Sequence, residues 1–166
     1  AGKKLNLNFN ASYLGSDGDV IIQNATINTS GGSFTASGTN FTSLAGADFQ
    51  NIRTDGGSVT LNMLGDVSLG ASIVTNGGDI NIGSVNSPVS RFSNFDNGMD
   101  AVINTRSIFG GGDIKIYSAS TATLGTFLLG ESDTNNTQNI NPEADMLVEA
   151  GGKITLARDF LYRGFN

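Results

Sequence analysis

A pair of glycines followed by an alternating apolar and polar run recurs along this chain, and that recurrence limits the folds open to it more than any other feature. The pairs stand in "GGSFTAS" from Gly31, "GGSVTLN" from Gly56, "GGDINIG" from Gly77, "GGDIKIY" from Gly111 and "GGKITLA" from Gly151. After each pair the apolar residues fall two apart: Phe34 and Ala36, Val59 and Leu61, Ile80 and Ile82, Ile114 and Ile116, Ile154 and Leu156. Period two puts both members on one face of a strand. The opening "AGKKLNLNF" fits the same frame through Leu5, Leu7 and Phe9 and makes a sixth copy.

Each repeat carries further punctuation, since "GDVIIQNATINTSGG" from Gly18 aligns with "GDVSLGASIVTNGG" from Gly65 with one residue of slack. That spacing predicts about three short strands per turn. The shortest interval between second glycines, Gly57 to Gly78, is 21 residues. Three short strands in so few residues, each with one inward face and a Gly, Asn, Asp or Ser corner, describe a parallel β-helix of about five to six coils. Coils stacked about 4.8 Å apart would bring Phe34, Val59, Ile80, Ile114 and Ile154 into one continuous apolar column. A β-sandwich also has many short strands, but its turns would be of mixed chemistry, whereas here one signature marks each repeat. The whole chain, 1–166, reads as one unit. Two stretches longer than the minimal repeat, residues 84–100 and 130–146, are expected to leave the coil as protruding loops.

The composition removes most catalytic chemistry. The chain has no histidine and no cysteine, so imidazole acid–base steps, thiolate nucleophiles, disulfides and histidine- or cysteine-ligated metals are excluded, and no cofactor is indicated. Its net charge of −6 argues against nucleic acid and anionic lipid as partners. No apolar run reaches the roughly 18 residues that a spanning helix needs. The start "AGKKLNLNFN" lacks the apolar region of a signal peptide, so either a signal has been removed or the segment is a piece of a longer protein, the second being the expectation.

Loops on a rigid scaffold are where binding groups collect. In the first loop Arg91, Phe92, Phe95 and Asp96 combine rings that stack on a sugar with groups that bond its hydroxyls; the alternative is that the two phenylalanines tuck the loop onto the rod. In the second, Glu131, Asp133, Glu143 and Asp145 could ligate calcium, although their spacing fits no known calcium loop and a solvated acidic loop is the simpler reading. Asp66, Asp79 and Asp113 could stack at coil corners, where accepting backbone N–H bonds is the ordinary role of such aspartates; they assemble no evident glycosidase or lyase site. Five Asn-x-Ser/Thr sequons, at Asn10, Asn24, Asn28, Asn40 and Asn135, are candidates for glycosylation if exposed, and otherwise for hydrogen-bonded ladders. The terminal "DFLYRGFN" gathers Phe160, Leu161, Tyr162 and Phe165 into a cap for the last coil or a contact for a further one.

The stretch "GGSVTLNMLGDVSLGASIVTNGGDINIG", a glycine pair, then "xVTL", then "GDVxL", resembles the repeats of filamentous haemagglutinin and the high-molecular-weight adhesins, exoproteins of bacterial two-partner secretion. The resemblance implies a right-handed β-helix, a secreted or cell-surface location, attachment to a host-cell receptor or glycan, an outer-membrane secretion partner for the parent protein, and sugars on sequon asparagines. The "NPN" motifs of the family's secretion domain are missing, and "NINPEAD" around Pro142 does not replace them, which points to an interior or distal piece. Within that family such a segment either binds or serves as a spacer.

Overall fold

The computed structural model describes residues 3–12, 15, 17–44, 51–108, 110–130 and 144–163. Each coil contributes three strands. Coil one holds β1 (Leu7–Asn10), β2 (Val20–Gln23) and β3 (Ile27–Asn28); coil two β4 (Phe34–Gly38), β5 (Phe41–Leu44) and β6 (Asn51–Arg53); coil three β7 (Val59–Met63), β8 (Val67–Leu69) and β9 (Ser72–Val74). Coil four holds β10 (Ile80–Ile82), β11 (Phe92–Ser93), a small hairpin of β12 (Phe95–Asp96) and β13 (Met99–Asp100), then β14 (Ile103–Asn104). Coil five has β15 (Ile114–Ser118), β16 (Ala122–Leu124) and β17 (Phe127–Gly130), and coil six β18 (Met146–Ala150), β19 (Ile154–Leu156) and β20 (Phe160–Arg163). Like strands of successive coils pair in parallel and build three six-stranded sheets, the arrangement of a parallel β-helix. There is no α-helix among the described residues.

The core follows from period two. In the first sheet the register aligns Leu7, Phe34, Val59, Ile80, Ile114 and Met146. In the second it aligns Val20, Phe41, Val67, Phe92, Ala122 and Ile154, and in the third Ile27, Ile52, Ile73, Ile103, Phe127 and Phe160. The members in coils two to five are buried. Each buried Val, Ile or Phe contributes about 1.5–3 kcal/mol. Phe34 joins two columns, meeting Phe9 and Phe41 edge to face at 5.7 and 6.3 Å.

The glycine pair has two separate jobs. At Ser30–Gly31, Asp55–Gly56 and Asn76–Gly77 both residues have positive φ, so the chain turns tightly from the third sheet back to the first. The second glycine is required by proximity: a Cβ at Gly57 would fall on the carbonyl of Gly32, one at Gly78 on that of Gly57, and one at Gly112 on that of Gly78. Behind this corner runs a column of buried threonines, Thr29, Thr54, Thr75 and Thr105. The first three donate their hydroxyls to the carbonyls of Gly32, Gly57 and Gly78 respectively, the last of these at 2.5 Å.

Two sequence expectations are corrected. The pair Gly151–Gly152 does not open a first-sheet strand; it stands between β18 and β19, so Ile154 pairs with Ala122 and Met146 takes the place beside Ile114. A glycine pair marks a place where the chain turns, and a coil has more than one such corner. Nor does 84–100 leave the coil as one loop. Val89 and Phe92 are buried, Val89 bridges Ser118 in parallel, and Phe92 belongs to the second sheet. What leaves the coil is a short excursion at 84–88 and the hairpin at 95–100. The second expected loop, 130–146, lies outside the described residues from 131 to 143, with Glu131, Asp133, Glu143, Asn135 and Pro142 among them. Phe165 lies outside them as well.

Candidate functional site

Polar ladders fix the coil corners from which side chains reach solvent. At the entry to the second sheet, the residues just before the strands are Asp19, Asn40, Asp66, Arg91, Thr121 and Lys153. Asn40 donates its N–H and its side-chain amide to Asp19 Oδ1 at 3.1 and 2.9 Å, and its own Oδ1 accepts the N–H of Asp66 at 2.8 Å. Asp66 Oδ2 in turn accepts from Arg91 Nε at 3.0 Å and Nη2 at 2.5 Å. That hydrogen bond, and then the carboxylate's charge, raise the Arg91 guanidinium above its ordinary pKa. A raised basic group favours the fold below its ordinary value and loses that contribution only as pH rises through the raised one, so Arg91 stays charged throughout neutral solution.

The corner that enters the first sheet carries a second ladder. Asp113 donates its N–H to Asp79 Oδ1 at 2.9 Å, and Asp145 donates its N–H to Asp113 Oδ1 at 3.0 Å. The two "GGDI" aspartates therefore hold backbone, as corner aspartates do. Asp66 stands at a different corner from them.

The hairpin is what breaks the regularity. Asn97 and Gly98 both have positive φ, 49° and 82°, and the strands pair Phe95 with Asp100 and Asp96 with Met99. This is a two-residue hairpin of the Asn-Gly kind, and the "DNG" string in residues 96–98 was a signal for it that the period-two reading passed over. Its base is secured from below. Asp100 accepts from the Thr126 N–H at 2.8 Å and hydroxyl at 2.6 Å. Arg158 of coil six lies 4.6 Å from the Phe95 ring centroid, with its Nε 3.8 Å from Asp100. Buried Asn94 donates to the Ala101 carbonyl and accepts the Gly125 N–H, both at 2.9 Å. A chain leaving the coil is thus clamped where it departs and where it returns.

Between this hairpin and the outer face of the second sheet lies a groove of about 510 Å³, lined by Asp66, Ser68, Arg91, Ser93, Phe95, Asp96, Asn97, Thr121 and Thr123 among others. All four residues expected to bind, Arg91, Phe92, Phe95 and Asp96, border this groove. Arg91 and Asp96 are exposed and Phe95 is half-buried. Phe92 offers no ring for stacking: it is 1% exposed and its ring belongs to the core. It alternates with outward-facing Arg91 and Ser93, which its sequence position had concealed within a supposed loop. Ser68, Thr121 and Thr123 come from neighbouring coils and could be found only through the register.

Of the sequon asparagines within the described residues, Asn10, Asn24 and Asn28 are exposed. Asn10 and Asn28 cap local turns, accepting the N–H of Ser12 and Ser30 at 3.0 and 2.9 Å, and Asn24 has a left-handed φ of 51°. Asn40 differs, because its side chain is a rung of the corner ladder.

No protein-family model, no curated protein and no solved structure matches this chain.

Proposed function

We propose that this chain is a segment of a bacterial cell-surface or secreted adhesin, a right-handed β-helix whose coils are scaffold and whose hairpin groove binds a host glycan. The observation that carries the reading is the hairpin: a clamped element that leaves the coil rises from the second sheet and walls a groove of hydroxyls, amide, carboxylates, an arginine and an aromatic ring. That mixture suits a sugar, whose hydroxyls need donors and acceptors and whose C–H face packs on a ring. The handedness is the one that right-twisted parallel strands favour in their crossovers. The repeat style of "GGSVTLNMLGDVSLG" supports the exoprotein reading, in which the parent protein has an outer-membrane secretion partner and some sequons carry sugar.

A second reading, a spacer rod with no ligand of its own, is favoured by the corner ladders, in which polar side chains are spent on holding coil to coil. Catalysis is not proposed, because Asp79 and Asp113 hold backbone N–H groups and Asp66 holds Arg91. The deciding experiment measures binding of the purified chain to a glycan panel and to epithelial cells. It is run beside Asp96→Ala, Arg91→Ala and a variant with residues 96–99 shortened to two glycines. Shortening must stop short of Val89 and Phe92, whose removal would open the core. Saturable binding that the variants lose supports the adhesin; a folded chain that binds nothing supports the spacer.

A further inference from the structure

A second groove, of about 350 Å³, lies on another part of the surface, lined by Ser84, Val85, Pro88, Tyr117, Ser118, Ala119, Glu149, Ala150 and Gly151. It shares no residue with the hairpin groove. We propose that it is a docking site for a cationic side chain, the lysine or arginine of a basic peptide segment on a protein partner.

The groove is built by the register. The fourth row of the first sheet, which faces outward, runs Asn10, Ser37, Asn62, Gly83, Tyr117 and Glu149, as the paired residues and their continuation define it. Gly83 is buried and contributes no side chain to this row. It also cannot be replaced cheaply: its φ is +66°, and a Cβ would meet the Tyr117 carbonyl oxygen at 2.8 Å and the Val89 nitrogen at 2.9 Å. The chain then rises into the excursion at 84–88, closed by reciprocal Ser84 and Ser87 backbone bonds of 3.0 and 3.1 Å, and returns at buried Val89 to bridge Ser118. One wall is therefore a braced turn with Val85 at its crest, 71% exposed. The floor comes from Tyr117 to Ala119, and the far side from Glu149 to Gly151 of the next coil.

The chemistry selects the occupant. Tyr117 and Glu149 are register partners on adjacent strands, so an aromatic ring and a carboxylate stand one coil apart at one site. No lysine or arginine lines the groove, and the nearby Lys115 has its ammonium 3.8 Å from Asp113. Val85, Pro88, Ala119 and Ala150 offer apolar surface to an aliphatic stem, while ring and carboxylate both attract the cation at its tip. The net charge of −6 gives the same preference at long range. The hairpin groove differs in holding an arginine of its own, Arg91, beside its carboxylates and a row of hydroxyls.

The test uses the full chain and a short peptide with one lysine, beside peptides carrying arginine or uncharged norleucine at that position. Binding is followed through the backbone amide resonances of Tyr117, Glu149 and Val85. The lysine and arginine peptides are expected to shift these resonances saturably and the norleucine peptide not to. Glu149→Gln is expected to weaken binding at least tenfold and Tyr117→Leu several-fold. Val85→Lys, at an exposed crest where folding is not at stake, is expected to weaken it by repulsion, and Asp96→Ala in the other groove to change nothing. Equal binding of the norleucine peptide, or wild-type affinity in both Glu149→Gln and Val85→Lys, overturns the proposal. So does preferential shifting of these resonances by a neutral disaccharide. Each of these outcomes is independent of whether the hairpin groove binds glycan.

Discussion

Gly57 lies against Gly32 so closely that a methyl group on the first would occupy the carbonyl of the second. Its neighbour Gly56, with a φ of +102°, has nothing within 4 Å of where a Cβ would stand. One glycine of the pair is demanded by space and the other by backbone conformation. Gly57→Ala is accordingly expected to cost about 3 kcal/mol, the upper end for overpacking, and Gly56→Ala about 1–2 kcal/mol for a left-handed residue with a Cβ. Urea unfolding of the two variants measures the difference, and equal losses would mean that backbone conformation alone sets the requirement.

The threonine column supplies an internal contrast. Thr54 donates its buried hydroxyl to Gly57, whereas the hydroxyl of Thr105, equally buried, has no partner. In the first case the glycine stands three residues on; after Thr105 the chain travels through residues 106–111 before Gly112 takes the equivalent place. Thr54→Val is expected to destabilise by about 1–2 kcal/mol, while Thr105→Val is expected to be neutral or mildly stabilising. Thermal unfolding of both variants decides it.

Asn94 is buried between β11 and β12, and its amide joins that point of the chain to Ala101 beyond the hairpin and Gly125 of the next coil. Asn94→Leu keeps the volume but leaves a carbonyl and an N–H without partners, at about 1–3 kcal/mol each. The expected signature is a lowered unfolding midpoint together with faster amide exchange at Gly125, whose N–H loses its acceptor, while the Ala101 N–H keeps the Asn94 backbone carbonyl. A stability loss without faster exchange at Gly125 would place the damage elsewhere.

Sequon usage should follow the ladder. Incubation of the folded chain with an asparagine-linked glycosyltransferase is expected to modify exposed Asn10, Asn24 or Asn28. Asn40, whose side-chain nitrogen donates to Asp19 and whose oxygen accepts from Asp66, is expected to remain unmodified. Peptide mapping by mass spectrometry reads the outcome, and efficient modification of Asn40 would show that this corner opens readily.

The hairpin turn needs two left-handed residues. Gly98→Val, with a β-branched residue at a φ of 82°, is expected to loosen the hairpin and weaken glycan binding while leaving the unfolding midpoint of the coils nearly unchanged, because the tip carries no core residue. A midpoint shift as large as that of Asn94→Leu would instead show that the hairpin and the coils unfold as one unit.

At the last coil the same period-two pattern meets a different fate. Ile154, Leu156 and Phe160 are 45, 65 and 41% exposed, although one coil earlier Ala122, Leu124 and Phe127 are 0, 2 and 0% exposed. Phe160 stacks on Phe127 at 4.9 Å yet remains open on its other side, and Leu161 is 47% exposed. Two roles are expected of this cluster, a cap for the last coil or a contact for a further one, and Phe160 meets coil five on one face and leaves its other face exposed. Alternation assigns a residue to the inside of the coil, but burial also needs a neighbour above and below.

The sequence by itself determined most of the sheet strands, their inward faces and the tight glycine turns, because these depend on local chemistry: period two and glycine at positive φ. Thus Val59, Ile80 and Ile114 were legible as one column. Register across coils was not legible where spacing varies, since nothing local distinguishes Gly151 from Gly111 or reveals that Phe92 returns to the core between two excursions. The groove residues Ser68, Ser93 and Thr123 come from separate coils, and Tyr117 meets Glu149 across residues 118–148. Only the stacking of coils brings such groups together, because hydrogen bonding between parallel strands sets their spacing and the lengths of intervening excursions do not.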